Sequence, residues 1–321
     1  MDSCFEQGPS LRNLRFKSME QQQQQRVVFV RKVGAGNLAE ELKTIRYHLA
    51  MYPCIAIDTD HPGNICSFPS PEVREEDLPA TARYDVARTN IGALHVLQLG
   101  ITLFDSRGNL PVLPTSPSGR GASSLPTVWQ VSFSDFDLRR DLCSAPSVEY
   151  LRSQGLDFDE LRARGVSARA FGAALAEYGI ICGPKYRTEL KWVAFGGIYD
   201  YGFLLKMLTG GKPLPDTREK FMAALAERVG VRVYDAKYVA ACAGVSGGLM
   251  KVAKVLAAGA GVPRTIVAPQ SERRQAGEKS LLACQVFVAI EQRFFGPSHI
   301  EVPGARIDGV HDRRTVLVHE L

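Results

Sequence analysis

The chain has 321 residues, of which 45% are hydrophobic and 23% are charged, and its formal net charge is +5. These proportions are typical of a soluble globular protein, and the small positive charge permits an anionic partner such as nucleic acid without requiring one. No apolar run reaches the roughly 18 residues of a transmembrane helix, and the start, MDSCFEQGPSLRNLRFK, lacks the apolar core of a secretory signal. We therefore expect no membrane contact and a location in the cytoplasm and nucleus.

The first predicted elements are a tail and an amphipathic helix. Residues 1–26 are polar, contain five consecutive glutamines and show no hydrophobic period, which predicts a disordered tail. Asn37 followed by Glu40 is a helix-capping pattern, and Leu42 and Ile45 continue it at helical spacing. The run CIAID that follows predicts a short buried strand.

The remaining elements predict one α/β domain over residues 27–296. The segment YDVARTNIGALH predicts a helix, and VLQLGITLF and WQVSF predict strands that are antiparallel neighbours. Residues 106–127 are rich in Ser, Pro and Gly, which indicates a long hairpin connection inserted between these strands. Helices with interspersed strands follow, so we expect a mixed sheet with flanking helices. Residues 297–321 show no clear period and are predicted to be a C-terminal tail, solvated at HDRR.

Three aspartates stand at the ends of predicted elements. Asp58 and Asp60 close the CIAID strand and point to the same side, because residues two apart in a strand share a face. Asp200 starts a helix on the same stripe as Leu204 and Leu208, where an ionised carboxylate needs a partner or a metal. Solvated strand ends or turn caps and a helix N-cap explain the same residues, so both interpretations stay open at this point.

Several segments resemble, in order and spacing, the motifs of the CCR-associated-factor deadenylases, the DEDD-type 3′→5′ exoribonucleases that are nuclease subunits of the CCR-NOT complex. These segments are CIAIDTDHPG, YDVARTNIGALHVLQLGITLFD, WQVSF, KWVAFGGIYDYGFLLKMLT, VYDAKY, GGLMKVA and RRQAGEKSLLA. The resemblance covers about residues 30–295. It implies an RNase-H-like fold, hydrolysis of poly(A) RNA by two divalent cations, Mg²⁺ or Mn²⁺, and as partners the CCR-NOT scaffold and companion deadenylase subunits. It also implies that Asp58, Asp60 and Asp200 are catalytic metal ligands.

The chain departs from the family pattern at the positions that should complete this site. Asp60 replaces a glutamate, the segment FGGIYD lacks the histidine of the family's FHSGYD, Arg274 replaces the late histidine, and Lys279 replaces the fourth aspartate. None of the six histidines lies between residues 96 and 298. Lys279 shares a helical stripe with apolar residues, so its ammonium should point toward the core and the three acids, where it must weaken the binding of dications.

Two functions therefore remain open. The first is a poly(A)-specific exoribonuclease of the CCR-NOT complex with impaired activity. The second is a catalytically inactive family member that acts as a scaffold or RNA-binding module. The hypothesis that favours the second is a salt-bridge cluster of Lys279 with Asp58, Asp60 and Asp200, in place of a two-metal site. In the alternative, Lys279 extends to solvent and a weakened metal site persists.

Overall fold

The protein is described by a computed structural model covering residues 27–67, 77–116, 123–181, 190–258, 274–295, 302 and 304–312. The strands are β1 (Phe29–Val33), β2 (Cys54–Asp60), β3 (Gln98–Phe104), β4 (Val112–Pro114), β5 (Ser124–Ser132), β6 (Lys191–Ala194) and β7 (Val233–Asp235). The helices are α1 (Leu38–His48), α2 (Ala80–Ala93), α3 (Ala145–Ser153), α4 (Phe158–Arg164), α5 (Ala168–Glu177), α6 (Ile198–Leu208), α7 (Arg218–Val229), α8 (Ala236–Cys242), α9 (Leu249–Ala258) and α10 (Ala276–Ile290), and a π-helical turn (Glu291–Phe295) follows α10.

The strands form one mixed sheet in the order β1-β5-β3-β2-β6-β7, and β4 pairs with β5. Strand β3 is antiparallel to both β2 and β5, which confirms the two predicted antiparallel neighbours. The pairs β1–β5, β2–β6 and β6–β7 are parallel. The predicted α/β domain with a mixed sheet and flanking helices is therefore confirmed.

Strand β2 lies at the centre of two apolar layers, and all seven of its residues are buried. Ile55 and Ile57 project into a core cluster that includes residues of α1, α2, α5, α6 and α7. Ala56, on the opposite face, belongs to a second cluster with residues of α8, α9 and α10. Because side chains alternate along a strand, Asp58 and Asp60 continue the Ala56 face, and Thr59 continues the Ile57 face.

The start of α10 lies directly over β3 because residue 100 has no side chain. A Cβ on Gly100 would lie 1.9 Å from the carbonyl oxygen of Ala276, the first residue of the helix. Gly100 is also the direct partner of Asp58 in the β2–β3 register. This close approach therefore places the first turn of α10 beside the carboxylates at the end of β2.

Two predicted segments contain structure that the sequence did not indicate. The connection predicted over 106–127 contains β4 and the beginning of β5, which starts at Ser124, so the two strands form an antiparallel hairpin within it. Part of the predicted C-terminal tail, before HDRR, is packed: Ile307 and Val310 are buried in the core, and the Asp308 amide donates to Asp235 Oδ2 at 2.9 Å. The predicted tail over residues 1–26 lies outside the described residues. No helix in the described part of the chain is long and apolar enough to cross a membrane.

Candidate active site

The end of β2 presents two carboxylates on the same face of the sheet. Asp58 and Asp60 are 9% and 6% exposed, and they lie opposite Gly100 and Gln98 of β3. Two buried anions two residues apart repel each other unless a cation lies between them. The local requirement at this strand end is therefore a positive charge.

The first turn of α10 supplies that charge. Lys279 Nζ lies 2.7 Å from Asp58 Oδ2 and 2.8 Å from Asp60 Oδ1. The turn is fixed by a capping box, in which Gln275 and Glu278 each accept a hydrogen bond from the backbone of the other. The predicted direction of Lys279 is confirmed, and for these two acids so is the predicted salt-bridge cluster. The side chain is 24% exposed and bridges the acids, so it does not extend into solvent.

Asp200 is within electrostatic reach of Asp58 and Lys279, but its direct hydrogen bonds are to Thr59 and not to Lys279. Its Oδ1 accepts hydrogen bonds from the Thr59 amide at 2.8 Å and from Thr59 Oγ1 at 2.6 Å. Thr59 points away from the Asp58 and Asp60 face because it lies between them in the strand. Asp200 is not the N-cap of α6 either, since that position is Gly197. The third acid therefore comes from a helix of the other layer, and it joins the group electrostatically without a salt bridge to Lys279.

Burial shifts the pKa values of Asp58, Asp200 and Lys279. It raises the pKa of Asp58 to about 6, an effect that Lys279 opposes and Asp60 reinforces. Burial and the charge of Asp58 raise the pKa of Asp200 well above its ordinary value. Burial lowers the pKa of Lys279, but Asp58 and Asp60 outweigh it and the net pKa is raised. The ammonium therefore stays charged at neutral pH, and the chain itself supplies a positive charge between the two carboxylates.

Arg274 does not join the carboxylates. Its backbone amide donates to Gln154 Oε1 at 2.8 Å, and its guanidinium Nη1 lies 2.6 Å from the Met250 sulfur of α9. The residue at the predicted histidine position is therefore directed toward α9. Sequence reasoning missed His61, which follows Asp60 and stacks on Tyr199 at a centroid distance of 4.9 Å. Burial and the nearby Lys279 lower the pKa of His61 to about 4.

Comparison with known proteins identifies the family. The model of the CAF1 family ribonucleases matches residues 33–168. The probable CCR4-associated factor 1 homolog 7 of Arabidopsis thaliana is 32% identical over 267 residues, which are 83% of this chain and 88% of the relative. The chain belongs to the CAF1 ribonuclease family. A second family member, CCR4-NOT transcription complex subunit 7 of Caenorhabditis elegans, is 31% identical over 84% of this chain and 78% of its own length.

A solved CAF1-family structure has the same fold. The Mg²⁺- and Mn²⁺-bound form of Pop2p from S. pombe superposes with a TM-score of 0.70 at 27% identity, covering 87% of this chain and 99% of that chain. That protein therefore binds divalent cations, and the question is whether the residues of the present chain fit such ions.

The residues of this CAF1 homologue do not fit a two-metal site. The Lys279 ammonium lies between the oxygens of Asp58 and Asp60 that would hold a cation, and Thr59 binds Asp200 Oδ1. Across the described ranges, no three His, Cys, Asp or Glu side chains are grouped so that they could hold a metal ion together. A dication here would have to displace an internal cation at hydrogen-bonding distance from two carboxylates, at a Coulombic cost of several kcal/mol.

Proposed function

We propose that this protein acts in mRNA deadenylation as a CCR4-NOT-associated member of the CAF1 family whose own 3′→5′ exoribonuclease activity on poly(A) is strongly impaired. The fold and the family support the first part of the proposal. The Lys279 bridge between Asp58 and Asp60 carries the second, because its ammonium contacts one oxygen of each carboxylate that Mg²⁺ or Mn²⁺ would need.

Loss of the histidine acts in the same direction. The family pattern has a late histidine that activates or positions the attacking water, and Arg274 at that position points to α9. Loss of a general base alone lowers a rate by roughly 10² to 10⁴. With the metal site also closed, we expect the protein to contribute by binding poly(A) RNA and its partners more than by cleavage.

The test is an assay with 5′-labelled RNA that carries a 3′ oligo(A) tail, in Mn²⁺ and in Mg²⁺. The native chain is compared with Lys279→Asp combined with Arg274→His, the double variant that restores the family residues at these two positions. We expect little shortening by the native chain and stepwise shortening by the double variant. Adding Asp58→Ala to the double variant serves as the control and should abolish the gained activity.

The outcomes separate the two functions that the sequence left open. Shortening by the native chain at the rate of S. pombe Pop2p measured in parallel would refute the closed site. Slow shortening that Asp58→Ala abolishes would establish an impaired exoribonuclease. Absence of shortening together with retained RNA binding would establish an inactive binding module.

The proposed partners are the CCR4-NOT scaffold and the companion deadenylase subunit, in the cytoplasm and nucleus. The support is that a relative 31% identical to this chain is named as a CCR4-NOT subunit. Co-purification of the tagged full chain with the scaffold subunit tests the association, and imaging of the tagged chain tests the location. An untagged chain in the same cells is the control, and absence of the scaffold from the purified material would contradict the proposal.

A further inference from the structure

A cavity outside the candidate active site lies between the start of α7 and the packed C-terminal segment 304–312. Its volume is about 410 Å³, within the range of small-molecule sites, and it shares no lining residue with the candidate active site. Three basic residues and two apolar ones line it, namely Arg218, Arg306, His311, Met222 and Val310. We propose that this cavity binds a phosphomonoester, with the phosphate held by the basic side chains and the rest of the ligand against the apolar ones.

The backbone that carries these basic side chains is fixed to the sheet and to α7. Arg306 forms a parallel bridge with Tyr234 of β7. The segment then closes into a turn that ends at His311, whose amide donates to a carbonyl of the same turn at 2.9 Å. Arg218, the first residue of α7, donates from Nη1 to the Val310 carbonyl of this turn at 3.0 Å. The three basic residues therefore belong to elements that hydrogen bonds hold together.

The basic groups carry hydrogen-bond donors that have no acceptor in the described part of the chain. His311 Nδ1 accepts the Ile307 amide at 3.1 Å, so the proton of the neutral ring is on Nε2, which has no such acceptor. The Arg306 guanidinium is exposed and makes no hydrogen bond or ion pair with any described residue. The amides of Arg218 and Glu219 are also free there, at the positive end of the α7 dipole. A ligand that matches donors and positive charge is an oxyanion.

The electrostatics of His311 indicate that the two guanidiniums are close to its ring. Burial lowers the pKa of His311, and the charges of Arg306 and Arg218 add to this effect. The imidazole is therefore neutral at neutral pH, and the positive charge of the cavity comes from the two arginines. A phosphomonoester carries a charge close to −2 under these conditions, which two guanidiniums can balance.

Two carboxylates in the lining oppose the binding of an anion. The side chains of Glu219 and Asp312 are 74% and 72% exposed, so water screens their charges. Asp312 Oδ1 also accepts the Ala80 amide at 3.1 Å, and Glu219 lies at the longer distance of 3.6 Å from Arg218. The carboxylates therefore weaken the site without closing it, and removing the charge of Glu219 should strengthen binding.

The apolar part of the lining favours a phosphate that is attached to a carbon group. Met222 is half-buried and Val310 is 1% exposed, and both lie in the same cavity as the basic residues. Inorganic phosphate gains nothing from such a surface, whereas the organic part of a phosphomonoester is removed from water there. Free phosphate and a phosphomonoester share the chemistry of the anion, so the experiment compares the two.

The experiment is isothermal titration calorimetry of the full chain in EDTA at neutral pH, with phenyl phosphate and separately with inorganic phosphate. We expect phenyl phosphate to bind at one site and more tightly than inorganic phosphate. Arg306→Gln should weaken its binding about 10-fold, the effect of one charge-assisted hydrogen bond, and Glu219→Gln should tighten it. Arg107→Gln is the matched control and should leave the affinity unchanged, because Arg107 is also exposed but lines a different cavity.

The outcomes separate the ligand classes. Because the Arg306 side chain has no partner among the described residues, Arg306→Gln should unfold at the same temperature as the native chain when no ligand is present. Absence of phenyl phosphate binding, native affinity in Arg306→Gln, or weaker binding by Glu219→Gln would overturn the proposal. Equal affinities for the two phosphates would overturn a monoester as the ligand. Displacement of phenyl phosphate by an RNA hexamer with hydroxyl ends, which carries only phosphodiesters, would overturn it as well.

Discussion

Replacing Lys279 with methionine tests the closed site most directly, because the side chain keeps its length and loses only the ammonium. The two contacts, at 2.7 and 2.8 Å, are each worth about 6 kcal/mol of Coulomb energy at an effective dielectric constant of 20. Desolvation offsets much of this gain, and removing one partner of a buried ion pair typically costs about 3–5 kcal/mol. We expect the free energy of unfolding to fall by that amount.

The assay is urea denaturation in EDTA and again in Mg²⁺. Without Lys279, Asp58 and Asp60 are left with an unbalanced negative charge that a dication can bind, and Mg²⁺ at 100 times its Kd would restore about 2.7 kcal/mol. The native chain should show no such gain. Lys237→Met is the matched control, because Lys237 is 28% exposed and lies 2.8 Å from the buried Asp308. In this variant Asp308 still has a second cationic partner, Arg83, at 3.4 Å.

The control variant should lose less stability than Lys279→Met and should not respond to Mg²⁺. Equal stabilisation of the native chain and of Lys279→Met by Mg²⁺ would refute the internal-cation argument. So would a loss below about 1 kcal/mol in Lys279→Met, since that is the range of an exposed ion pair.

Two further predictions concern pH and packing. The pKa of Asp58 is near 3.8 in the unfolded chain and about 6 in the fold. The protonated carboxyl therefore contributes about 3 kcal/mol to the free energy of unfolding below pH 3.8, and this contribution should be lost as the pH rises through 6. Asp58→Asn should remove this dependence in urea denaturation between pH 4 and 6.5, and an unchanged slope would contradict the assignment. Gly100→Ala should cost at least about 3 kcal/mol in thermal or urea unfolding, because its Cβ would overlap the Ala276 carbonyl. Gly92→Ala, in α2 with open space around it, is the control and should be neutral or stabilising; equal effects would argue against the close approach.

The sequence predicted those parts of the site that depend on local periodicity. Alternation along β2 was enough to place Asp58 and Asp60 on one face, because a strand projects every second side chain to the same side. Helical spacing was enough to direct Lys279 inward, since it shares a stripe with Leu282 and Val286, which are 2% and 0% exposed. The order of the motifs also predicted the family and the mixed sheet.

Such local patterns do not predict contacts between residues that are far apart in the sequence. Asp200 bonds to Thr59, 141 residues away, and Arg274 bonds to Met250 and not to the carboxylates. The segment 304–312 has no period that marks it as packed, yet Asp235 Oδ2 accepts its Asp308 amide. These partners depend on how separate elements meet around a strand end.

By itself, the sequence determined the fold, the family and the sign of the charge that replaced the fourth acid, because motif order and periodicity are properties of the chain. Only the tertiary structure decided which acids that charge contacts. Lys279 reaches Asp58 and Asp60 because α10 packs on their face of β2, while α6 packs on the other face and brings Asp200 to Thr59. A pairing energy depends on the distance between two charges, and only the packing of the two helical layers against the sheet fixes that distance.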